Sequence, residues 1–291
     1  MSNAPAAKQA GWTAARPGGP DGRGDAPLGR LTGLSEALHA EWTKLRTLPG
    51  TPWLAAAIVA ATVSVSTAAA SAVRCPSGSC GVDPAKLSLT GIDLGQAVAA
   101  IFAVLVISSE YSSGMIRITM TAVPRRVTVL TAKATIVSGL VLAAGIIAVA
   151  GSLLAGHAIL PGHGFTPAHG YPPLTLANGP VLRAATGSVL YLALIALLSL
   201  GIATIIRDPG PAIGAVLGLL YLAPIIAAAV HGTHWRGDVE RYAPMTAGLT
   251  IQATTSLRSL PISPWAGLGV LAAWAAGALL LGGALLKVRD A

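Results

Sequence analysis

The sequence predicts an all-α membrane protein with six transmembrane helices, an amphipathic interfacial helix before the first of them, and both termini cytoplasmic. Three observations lead there. Hydrophobic residues make up 53% of the chain and charged residues only 10%, with a mean hydropathy of +0.68. A soluble protein carries about 25% charged residues, so too little polar surface is left to cover a water-soluble globule. Six apolar stretches are long enough to cross about 30 Å of hydrocarbon at about 1.5 Å per residue. Finally, Lys and Arg are divided unequally between the segments that join these stretches. The low charge also excludes a disordered chain, and glycine without a G-x-y period excludes a collagen-like one.

Residues 1–30 are rich in Ala, Pro, Gly and Asp with no apolar period, which predicts a disordered cytoplasmic tail. The first long apolar run begins only at Pro52, so no cleavable signal peptide is expected. Within 31–50, Leu34, Leu38, Trp42, Leu45 and Leu48 recur at helical spacing. Glu36, His39, Thr43, Lys44 and Arg46 fall largely elsewhere on the wheel. Such a helix is expected to lie in the headgroup plane, leucines and tryptophan toward the lipid and basic residues toward water. Pro49, Gly50 and Pro52 then break it. The alternative is a longer first span with a kinked end. Residues 51–291 are expected to form one six-span transmembrane domain, with spans over 52–73, 92–109, 134–160, 181–206, 211–230 and 264–286.

Thirteen of the nineteen Lys and Arg fall in the N-terminal segment, the second and fourth connections and the C-terminal tail. Positive charge is retained on the cytoplasmic side, so that set of segments is expected inside a plasma membrane. The net charge of +8 and pI of about 10.0 then express topology and attraction to anionic membrane lipids, and no nucleic-acid partner is expected. Cys75 and Cys80 lie in RCPSGSCG on the predicted outer face. An oxidising exterior favours a small disulfide-closed loop over two unpaired thiols, and two sulfur ligands without a nearby His make an incomplete zinc site.

The predicted cytoplasmic connection 110–133 reads EYSSGMIRITMTAVPRRVTVLTAK. Ser113 and Gly114 can end the preceding helix, and Pro124 separates a moderately apolar stretch from Arg125 and Arg126, whose planar forks suit carboxylates or phosphates. Charge retention alone accounts for such a loop; docking of a partner is the other account.

Much is missing. No G-x-x-x-x-G-K-[ST] loop is present to cradle nucleotide phosphates, so ATP hydrolysis by this chain alone, enzyme activity and a bound cofactor are not expected. Asp93, Glu110, Arg183, Arg207 and Asp208 lie near span ends, leaving few ionisable groups at membrane depth for a proton- or sodium-coupled carrier. Neither G-x-S-x-G nor H-E-x-x-H occurs, and His157, His163, His169, His231 and His234 sit mainly among Gly and Pro in loops, where solvation is favoured over metal ligation. Gly210, Gly214 and Gly218 make one smooth helix face that serves either packing within the chain or a seam with a second copy. Trp53 and Trp265 are expected as interfacial anchors, whereas the indole N–H of mid-span Trp274 needs a partner or a polar cavity.

The order of E-W-T-K-L-R before the first span, E-Y-S-S-G-M-I-R-I-T at the end of the second, then A-V-P-R-R and L-T-A-K entering the third resembles the ABC-2 family of ABC-transporter permeases, especially actinobacterial ones. Glu41, Trp42, Thr43, Lys44, Leu45 and Arg46 carry the first part. Glu110, Tyr111, Gly114, Ile116, Arg117, Thr119, Pro124, Arg125, Arg126 and Lys133 carry the rest. The detailed likeness covers residues 40–133; beyond it only the number and lengths of spans agree. The resemblance implies a permease subunit, an exporter, paired with a second permease and with separate ATP-binding (ATPase) subunits. It implies that 34–48 is the interfacial helix and that 110–126 docks on the ATPase. An ATP-independent carrier, or a scaffold or signalling subunit that transports nothing, are the alternatives.

Overall fold

A computed structural model describes residues 27–47, 50–75, 80–112, 126–229 and 233–288. Among them every regular element is a helix, and six helices are long and apolar enough to cross a membrane. A leading helix, Pro27–Thr47, comes first. Its first four residues come from the segment expected to be disordered; the rest of that segment lies outside the described residues. Span one is Gly50–Ala72 and span two Ile92–Ser112, joined through the short cap helix Pro84–Ser88. Span three, Arg126–Ile159, begins two turns before the position expected from its apolar run. Span four is Gly179–Ile206 and span six Pro264–Val288.

Span four is the hub, packed by spans two, three and six. Its sequence is apolar on all sides, the pattern of a helix surrounded by protein, and Tyr191, Leu192, Ile195, Leu198 and Leu200 are fully buried. Spans four and six meet where side chains vanish: a Cβ on Gly201 would stand 2.6 Å from the carbonyl carbon of Ala278. Spans one and five are peripheral, with only 22% and 17% of their apolar windows buried.

Span five is not a uniform helix. It runs as α-helix over Pro209–Leu217, as a wider π-turn over Gly218–Leu222, and as α-helix again over Ala223–Ala229. Pro224 lacks an N–H and its ring crowds the carbonyl four residues earlier, at Leu220, and a π-turn gives that carbonyl room. The connection to span six then turns back along the bundle as two short helices, Thr233–Tyr242 and Pro244–Leu249. The second packs against span six, and the carbonyl of Tyr242 accepts the indole N–H of Trp274 at 3.0 Å. That carbonyl is the partner this mid-span tryptophan requires.

The span ends sort into two groups. One end of the bundle gathers the leading helix, the end of span two, the start of span three and the turn between spans four and five. The other is a cap built from the connections after spans one, three and five.

Candidate functional site

The leading helix presents Ala37, Glu41, Lys44 and Leu45 toward the bundle, positions that fall on one helical stripe. Ala37, Glu41 and Leu45 are buried, Leu38 and Lys44 partly so, and Trp42, Thr43 and Arg46 are exposed. This differs from the expectation that Lys44 faces headgroups while Trp42 shares the face of Leu45. A step of four residues from Leu38 rotates Trp42 past the edge of the contact face, whereas Glu41 sits at its centre. Of Leu34 only the backbone is described, and Leu48 lies outside the described residues.

Glu41 is central because a lysine from span three and one from its own helix both reach its carboxylate. The ammonium of Lys133, in the second turn of span three, donates to Glu41 Oε2 at 2.7 Å and pairs with Glu110 Oε1, near the end of span two, at 3.0 Å. Lys44 Nζ donates to Glu110 Oε1 at 2.7 Å and to Glu41 Oε1 at 3.3 Å. Two ammonium groups and two carboxylates thus close a ring in which each lysine touches both glutamates (net charge zero). The side chains of Lys133, Glu41 and Glu110 are 2%, 5% and 7% exposed, so water screens the ring little. Lys44 titrates above the ordinary lysine value. Burial of its stem pushes it down, but the hydrogen bond and charge of Glu110, and then those of Glu41, push it further up. Lys133 and Glu110 were expected at solvated span ends; their charge is instead tolerated because each meets its opposite inside the protein.

Beside the ring, the guanidinium of Arg207 stacks over the ring of Tyr111 at 5.4 Å, a cation–π contact. Arg207 ends span four in the left-handed region, φ 66°, with its N–H returned to the carbonyl of Ala203 at 2.8 Å. This pair attaches the turn between spans four and five to the same end of the bundle. The predicted docking residues Gly114, Arg117, Pro124 and Arg125 lie outside the described residues, and only the backbone of Arg126 is described, as the first residue of span three. Glu110, Tyr111 and Lys133, the other predicted members, form the framework on both sides of that segment.

Among the described residues, nothing covers the glycine face of span five. Apart from chain neighbours and the helix's own backbone, no described atom lies within 4 Å of where a Cβ would stand on Gly214 or Gly218, and Gly210 would meet Asp208 Oδ1 at 3.6 Å. Among the described residues, no other helix approaches these glycines closely.

At the cap end, Cys75 and Cys80 are bonded to each other, with Cα atoms 5.9 Å apart. The loop after span three packs against buried Cys75 and hydrogen-bonds to exposed Cys80. Cys75 N–H donates to the carbonyl of His163 at 2.8 Å, and Cys80 N–H donates to the Tyr171 hydroxyl at 2.8 Å. His163 and His169 each engage a backbone carbonyl through Nδ1, at Val73 and Gly164. Asp83 fastens the whole cap. Its Oδ1 accepts the N–H groups of Ala85 and Lys86, capping the short helix, and also the hydroxyl of Thr254 at 2.6 Å; its Oδ2 accepts the N–H groups of Thr254 and Thr255. The sequence reading did not identify Asp83. The signal was present, since Asp followed by Pro at the first helical position is an N-cap, but nothing local pointed to Thr254. Glu41 was noted as part of a motif without a role of its own; its spacing of three from Lys44 was the available sign.

Within the ring each lysine contacts both carboxylates, Glu41 through both of its oxygens and Glu110 through Oε1. The ring fastens three helices together and suits a mechanical role. No protein-family model matches the chain, and no curated protein sequence is significantly similar to it.

Proposed function

We propose that this chain is the membrane-spanning permease subunit of an ABC transporter of the ABC-2 type, an exporter in the plasma membrane. A separate ATPase subunit would drive it by docking on the connection 110–133. The observation that carries this reading is the four-charge ring, because it joins the leading helix to both ends of that connection. A push on the connection would then move the leading helix, the end of span two and the start of span three as one body, and ATP binding would bias the spans between two packings. The resemblance over residues 40–133 supports the same assignment, and the charge distribution supports cytoplasmic termini with an interfacial leading helix. The uncovered face of Gly210, Gly214 and Gly218 suits close approach of a second permease subunit.

Co-purification tests the docking. An ATPase encoded beside this chain is expected to co-purify with it, and Arg125→Glu/Arg126→Glu is expected to abolish the complex and the permease-dependent ATP turnover while the permease stays folded. Undiminished complex and unchanged turnover in the double variant would exclude these arginines as the docking point. Transport by vesicles holding this chain alone would point to an ATP-independent carrier.

A further inference from the structure

At the cap end, opposite the ring, a cavity of about 400 Å³ lies between the start of span two and the returning helices. Its wall is rich in acceptors. The Thr90 hydroxyl donates its proton to the carbonyl of Lys86, that of Thr246 to Val239 and that of Thr250 to Ala247. With their protons so used, these three hydroxyls offer lone pairs. The carboxylates of Asp93 and Glu240 also line the cavity. Two lining groups are donors, the ammonium of Lys86 and the side-chain amide of Gln252. Gln252 is 3% exposed and its Nε2 has no hydrogen-bond partner. A buried amide left in this way costs stability unless a ligand or water takes its protons. Met245, Leu249 and Leu260 supply an apolar side.

We propose that this cavity binds a primary ammonium that carries a hydrogen-bond acceptor two or three atoms away and an apolar portion. The three N–H bonds of the ammonium meet the acceptor wall, its neighbouring oxygen takes the Gln252 amide protons, and its apolar part lies against Met245, Leu249 and Leu260. Amino alcohols and lipids with an ethanolamine headgroup share this chemistry. The site is built from this chain alone and does not depend on the ATPase reading.

Native mass spectrometry of the purified full chain in detergent, with three probes, tests it. Lysophosphatidylethanolamine and lysophosphatidylcholine match in net charge and tail, but the trimethylammonium of the second has no N–H. The first is expected to bind about tenfold more tightly, the size of one or two charge-assisted hydrogen bonds. Gln252→Leu and Asp93→Asn are each expected to weaken it by about tenfold. Asp93→Asn keeps the backbone carbonyl that accepts the Tyr221 hydroxyl, and a thermal melt of each variant reports on folding. Leucinol, a soluble amino alcohol, separates the sources: leucinol binding without lysolipid binding supports the site with a free amine as ligand, and the converse supports a lipid. Equal affinity for the two lysolipids on the wild-type chain would overturn the proposal whatever the variants do. So would binding that neither substitution weakens, or no binding of any probe.

Discussion

Lys133→Met is expected to destabilise the protein by about 3–5 kcal/mol, the usual loss when one partner is removed from a buried ion pair. The effect is large because Lys133 is the most deeply buried member of the ring and contacts both carboxylates. Without Lys133, Glu41 loses its 2.7 Å contact and Glu110 its 3.0 Å contact to a buried ammonium, in a place with little access to water. Thermal denaturation in detergent and protease access to the leading helix should both report the loss. The cause is separable from mere truncation. Lys133→Met combined with Glu41→Leu removes one charge of each sign, and it is expected to recover most of the stability, since apolar groups of similar volume often replace buried ion pairs at little cost. A double-mutant cycle then gives the coupling directly. If the double variant is as unstable as the sum of the singles, the ring does not hold these helices as described.

Asp83→Ala is the second large effect, about 2–4 kcal/mol, from loss of an N-cap and of three donors delivered by residues 254 and 255. Five donors converge on this one carboxylate. Removing it frees the connection after span one from the segment before span six, and the Thr254 hydroxyl and the N–H groups of Thr254 and Thr255 lose their acceptors together. Asp83→Asn keeps one acceptor oxygen but turns a donor toward the others, so an intermediate loss is expected. The Cys75–Cys80 loop is held independently by His163 and Tyr171, so the disulfide should form in both variants, as thiol titration under denaturing conditions would verify. A melting point equal to wild type in Asp83→Ala would contradict the clamp.

The six long helices were legible because crossing hydrocarbon leaves an unmistakable mark: about twenty residues without charge. Trp274 was legible in part, since a mid-span indole must find a partner, although nothing in the sequence indicated the carbonyl of Tyr242. Lys133 was not. A lysine at the edge of an apolar run looks like a retained cytoplasmic charge, and its partner Glu41 is 92 residues away in sequence. Only the packing of the leading helix onto span three brings them together, and the same pairing lets span three start earlier than its apolar run suggests. The returning helices before span six were missed for a related reason. Their sequence, THWRGDVERY and PMTAGL, is polar or short and carries no membrane-length apolar signal. Their course follows from contact with span six rather than from composition. The cavity they form with Asp93 was invisible for the same reason.

The ring is expected to make the leading helix and the two ends of the connection 110–133 one moving body. Spin labels on Thr43→Cys and Thr131→Cys, exposed positions on two helices that the ring joins, and on Thr43→Cys and Lys287→Cys at the end of span six, allow this to be read as distances. In the complex with its ATPase, with and without ATP, the 43–131 distance is expected to stay fixed while the 43–287 distance changes. A 43–131 distance that changes with ATP, or no change in either pair, would contradict it.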